Sequence, residues 1–143
     1  MTKRSKYSLL NLSIWIIVTV VFFVLFFSGD GPESWGTNKT KRFLSALLFA
    51  VGFISFFIIQ FKSNKETIDE RVRQIQLKAT SSTLIIILMY VFIFGISLYT
   101  FYDNKLMPSS WMYLLTYSVV FLTYIVNSGL YIFFEKRETG YGS

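Results

Sequence analysis

Residues 83–102 read TLIIILMYVFIFGISLYTFY, twenty positions without one charged side chain. An α-helix needs about 20 mostly apolar residues to cross a hydrocarbon core roughly 30 Å thick, and this stretch supplies them. Its Ile, Val and Phe runs do not argue for a strand, because a lone span in lipid must satisfy its backbone hydrogen bonds internally. Three more stretches repeat the pattern, at 8–28, 43–61 and 111–134. Together the four occupy more than half of the 143 residues, which leaves no room for a separate soluble domain. The expectation is a single membrane domain over 1–143. The outer connections are short, with Gly29, Gly31 and Pro32 in the first and Pro108 in the third. Short connections make consecutive helices antiparallel neighbours, so the predicted fold is an all-α integral membrane protein, a four-helix antiparallel bundle.

Composition agrees. Only 15% of the residues are charged, against about 25% in soluble domains, and the mean hydropathy is +0.51. There is no His and no Cys, which removes thiol nucleophiles, disulfides, thiolate or imidazole metal ligands and histidine acid–base chemistry. Lys3, Arg4 and Lys6 precede the first span as they would in a secretory signal. Its apolar run is longer than a signal core, however, and Phe26, Phe27, Ser28 and Gly29 make no small-x-small cleavage site, so a retained helix is expected.

Ten of the Lys and Arg residues lie in the N-terminal segment, the 62–82 connection and the C-terminal segment, and four on the other side. The excess belongs in the cytoplasm, which puts both termini there. The net charge of +6 follows from this bias and gives no reason to expect a nucleic-acid partner. Trp35, Tyr99, Tyr102, Trp111 and Tyr113 fall near outer ends, and Tyr7 and Tyr131 near inner ends, as interfacial aromatics do. Lys39, Lys41 and Arg42 run against the charge bias and are expected at headgroup level beside Asp30 and Glu33. The sequon Asn38-Lys39-Thr40 reads as accidental.

The third span is preceded by SNKETIDERVRQIQLKATSS at residues 63–82. Ser63 and Glu66 have capping-box spacing, and no Gly or Pro follows until Gly95, so an amphipathic helix is expected to start at Ser63 and lead toward the third span. Ile68, Val72, Ile75 and Ala79 recur at helical spacing along one face. Asp69 with Arg73, and Glu70 with Gln74, are placed to pair on the opposite one. One reading makes the segment a solvated connector whose basic residues set topology and touch anionic headgroups. The other makes Ile68, Asp69, Glu70, Arg71, Val72, Arg73, Ile75 and Lys78 a docking surface for a membrane or cytoplasmic protein. Asp69 and Glu70 point about 100° apart on a helix and cannot act as a facing catalytic pair.

The run Asp69-Glu70-Arg71, then Ile75, then Lys78-Ala79 resembles a D-E-R-x-x-x-I-x-x-K-A segment of small uncharacterised bacterial membrane proteins of about four spans, in which it precedes the third helix. The resemblance covers about 11 residues and the helix plan. It implies a bacterial cytoplasmic-membrane protein without an assigned activity, and it carries no catalytic residue across.

Inside the spans there is no carboxylate of the kind that drives small proton-coupled exporters; the first span offers only Asn11, Ser13 and Thr19. Asp103 and Glu135 stand at span ends, placed to reach water. Tyr113, Thr116, Tyr117, Thr123, Tyr124, Asn127 and Tyr131 fall within an arc of about 120° on the fourth helix. This stripe is read either as interhelical hydrogen bonding that sets packing or as a polar groove for a small ligand, lipid headgroup or peptide. Ala46 and Ala50, with Gly52 and Ser55, and Gly95 with Ser97, are expected to let helices approach closely inside the bundle.

No hydrolase, kinase, nucleotide or metal motif is present, and Gly29, Gly31 and Gly36 make no phosphate loop. No cofactor and no enzymatic activity are expected. The leading reading is a non-enzymatic accessory, regulatory or self-protection subunit that works in the bilayer by binding a partner. The alternative is a small channel or transporter subunit acting as a homo-oligomer.

Overall fold

The computed structural model describes residues 3–28, 38–64, 70–103 and 105–141. Trp35, the loop residues Gly29, Asp30, Gly31, Pro32, Glu33 and Gly36, and Glu66, Ile68 and Asp69 lie outside them. Four helices account for nearly all of the described chain: α1 (Lys3–Phe27), α2 (Lys39–Asn64), α3 (Glu70–Phe101) and α4 (Ser110–Tyr141). Each is long and apolar enough to cross a membrane, and there is no strand among the described residues. At 32 residues each, α3 and α4 run about 48 Å, longer than the hydrocarbon core is thick.

Helix ends follow local chemistry. Asn38 heads α2, accepting a hydrogen bond through Oδ1 from the Lys41 backbone N–H at 3.2 Å, so the supposed sequon is a helix cap. Lys41 reaches back to donate to the Ser28 carbonyl at the end of α1, where a cation meets the negative end of the helix dipole. That contact explains why one basic residue runs against the charge bias. Ser63 does not start a helix: it is buried in the last turn of α2, which runs past its apolar stretch through Lys62 to Asn64. The next helix begins at Glu70, an acid in a first turn, and passes through Ser82 into the third span without a break.

Close packing joins α1 to α2, α1 to α4 and α3 to α4. Although consecutive, α2 and α3 are not among these pairs. The core lies where α1, α2 and α4 meet. Trp15, Val18, Phe22 and Phe26 of α1 pack with Leu114 and Phe121 of α4, and Phe49, Phe53 and Phe56 of α2 close over them. Trp15 is fully buried and stacks on Tyr124 with ring centroids 4.6 Å apart and an interplanar angle of 12°. Phe53 meets the same indole edge-on at 6.1 Å. Without a hydrophobic driving force between helices in lipid, such packing holds them together, and each aromatic pair contributes about 0.5–1.5 kcal/mol beyond its area.

Gly52 admits the indole. A β-carbon there would lie 3.0 Å from Cη2 and 3.1 Å from Cζ3 of Trp15. The other small residues do not play the expected part. Ala46 and Ala50 face outward, with Ser45 buried instead, because the inward stripe of α2 is displaced by one residue from the small-residue pair. A β-carbon at Gly95 would meet nothing within 4 Å.

Candidate functional site

At the basic end of the bundle, where α1 starts and α4 stops, the gap between α2 and α3 becomes a polar cleft of about 350 Å³. All four helices line it. Phe56, Ile59, Gln60 and Ser63 come from α2; Gln76, Ala79 and Thr80 come from α3. Arg4, Tyr7, Ser8 and Asn11 come from α1, and Thr123, Tyr124, Asn127, Ser128 and Tyr131 from α4.

The α1 side follows from sequence register: Arg4, Ser8 and Asn11 are four and three residues apart and share one helical face. Arg4 is 7% exposed and Asn11 is 8% exposed. Asn11 donates from Nδ2 to Ser128 Oγ at 3.1 Å, tying α1 to α4 at the cleft wall. Its Oδ1, and Nη2 of Arg4, are buried with no hydrogen-bond partner among the described residues. Arg4 is the one charged side chain among the described residues that line the cleft.

The stripe on α4 divides. Its inner half, Thr123, Tyr124, Asn127 and Tyr131, reaches the cleft. Its outer half does not. Tyr113, Thr116 and Tyr117 border a separate, mostly apolar groove with Phe49, Met112 and Val120. The threonines bond their own helix, Thr116 to the Met112 carbonyl at 2.9 Å and Thr123 to the Val119 carbonyl at 2.7 Å, so they do not tie helices together. The interhelical bonds fall one step around α4, on a buried face that includes Leu114, Ser118, Phe121, Ser128, Ile132 and Glu135. Besides Ser128, Ser118 there accepts from the Tyr90 hydroxyl of α3 at 2.8 Å. Glu135 belongs to this inward face and is 9% exposed, which corrects the expectation that it reaches water. The helix runs on past it to Tyr141.

Of the proposed docking residues, Ile68 and Asp69 lie outside the described chain. Ile75, 2% exposed, packs with Ala79 against Tyr131, so the apolar side of this helix is covered by α4. Val72 is half-buried; Glu70, Arg71, Arg73 and Lys78 are exposed. Arg71 and Lys78 both reach Glu138 of α4, at 3.5 and 3.3 Å.

Sequence reasoning passed over Arg4, Ser8, Gln60, Gln76 and Thr80. Each stands at the inner margin of a helix, where a polar residue reads as an interfacial marker. The available signals were the helical spacing of Arg4, Ser8 and Asn11 and the four-residue step from Gln76 to Thr80.

Over residues 3–137 the chain matches the family described as Predicted membrane protein (DUF2178), and it belongs to that family. No match was found among curated proteins or among solved structures.

Proposed function

We propose that this member of a family of predicted membrane proteins is a non-enzymatic accessory or regulatory subunit of a bacterial cytoplasmic membrane. Both termini lie in the cytoplasm, and it works by binding a partner protein there. The carrying observation is the state of the α3 head. Its apolar side is occupied by Tyr131, which leaves a charged surface of Glu70, Arg71, Arg73 and Lys78, braced by Glu138. A surface of this kind selects partners by charge complementarity and steering rather than by apolar burial. The cleft lining points to binding too, since amides, hydroxyls and phenols beside one guanidinium recognise polar groups without supplying an acid–base pair.

The alternative, a channel or transporter subunit, requires a path between protomers. Trp15, Phe22, Phe26 and Phe121 fill the space a path through one chain would need.

Purification of the tagged full chain in mild detergent tests the reading. A stoichiometric partner protein is expected with the wild type and is expected to be lost in Arg71→Glu/Arg73→Glu. A chain that emerges alone, or a partner retained by the doubly reversed variant, contradicts it.

A further inference from the structure

A buried guanidinium has few ways to exist. Arginine stays protonated at any physiological pH, and burying its charge unpaired is among the costliest arrangements in a protein. Arg4 is more than nine-tenths buried, its Nη2 lacks a partner, and no other described lining residue of the cleft is charged. Asn11, equally buried, is half satisfied: Nδ2 is used by Ser128 and Oδ1 is not used. Ser128 Oγ can donate as well as accept, so the amide can turn and offer its N–H groups to the cleft instead. The hydroxyls of Ser8, Ser63 and Thr80 add rotatable donors around the same space. A volume of about 350 Å³ falls within the range of small-molecule sites, roughly 300–1,000 Å³.

From this the geometry points to a binding site for a phosphate group, held by Arg4 and Asn11 in the cleft between α2 and α3. The guanidinium fork matches phosphate oxygens in pairs. Depth selects phosphate among anions: Arg4 stands one turn before the apolar run that opens at Ser8, the level of lipid phosphates beside a spanning helix. The phosphate comes from a phospholipid headgroup entering between the helices or from a free phosphate. This inference goes beyond the partner-binding reading and stands independently of it.

The test uses the full chain, delipidated in phosphate-free detergent. One arm titrates sodium phosphate against sodium chloride at matched ionic strength. The other adds phosphatidylglycerol in mixed micelles and counts bound lipid by native mass spectrometry. Saturable binding of one phosphate-bearing species per chain is expected, with a rise in melting temperature. Response to both probes assigns a free phosphate, and response to the lipid alone assigns a headgroup; either supports the site. Arg4→Gln is expected to weaken binding about tenfold or more, the worth of a charge-assisted pair. Lys6→Gln, an equal loss of charge at an exposed position on the opposite side of the same turn, is expected to leave binding unchanged. Asn11→Asp puts a carboxylate on the Arg4 face, supplies the missing charge from within, and is expected to abolish binding in a folded chain. No saturable binding of either probe to the wild type overturns the proposal. So does Arg4→Gln or Asn11→Asp that binds like wild type, or Lys6→Gln that loses as much as Arg4→Gln.

Discussion

A β-carbon at Gly52 would sit 3.0 Å from the Trp15 ring, and that ring has nowhere to go, being stacked on Tyr124 on one side and edged by Phe53 on another. Gly52→Ala is therefore expected to destabilise by about 1–3 kcal/mol, the usual cost of overpacking a filled core, and Gly52→Val by more. Gly95 is the internal control, since an added methyl there meets open space. Gly95→Ala is expected to be neutral or stabilising by up to about 1 kcal/mol through helix propensity. Thermal unfolding of the purified variants in one detergent checks both, and equal effects at the two glycines would contradict this account. Sequence spacing flagged both positions as small residues and could not separate them. Only the neighbour across the interface decides which absent side chain matters.

Among the elements, α3 is attached in the most economical way. Its inner third is pinned to α4 by Ile75 and Ala79 against Tyr131 and by Arg71 and Lys78 on Glu138. Farther along, Tyr90 donates to Ser118, and Trp111 Nε1 donates to the Tyr102 hydroxyl at 2.6 Å. The Glu138 pairs are partly exposed, so together they contribute about 1 kcal/mol or less. Glu138→Gln is expected to speed amide exchange in the first turns of α3 by up to about fivefold while leaving α1 unchanged. Exchange rates unaltered in α3 would show that the clasp is inert. The helix itself was legible from an apolar run free of breakers. Its start was not, because Ser63 has capping-box spacing yet lies one helical step beyond Ile59 on the buried face of α2, in that helix's last turn. The pairing with Glu138 also escaped notice, since it joins positions 60 and more residues apart.

At the scale of the whole molecule, four spans were written plainly in hydropathy, and the end at which basic residues gather is the end at which the cleft lies. What hydropathy does not encode is which helices touch. The two short outer loops do join packed pairs, α1 with α2 and α3 with α4, whereas α2 and α3, joined by the charged segment, are not among the closely packed pairs. The cleft exists because of that gap, so its lining was readable only as scattered polar residues on four separate helices. Half of the α4 stripe reached it, and Arg4 entered the sequence reading only as a topology charge.

The central claim is a chain that crosses the bilayer four times and brings its basic ends together on the cytoplasmic face. Because the sequence has no cysteine, single cysteines report position without background. The direct measurement is labelling of Lys6→Cys, Lys136→Cys and Lys105→Cys by a membrane-impermeant maleimide on intact bacterial cells and after permeabilisation. The account predicts that Lys105→Cys is labelled from outside and that Lys6→Cys and Lys136→Cys react only once the membrane is opened. Labelling of Lys6→Cys and Lys136→Cys from opposite sides would contradict it.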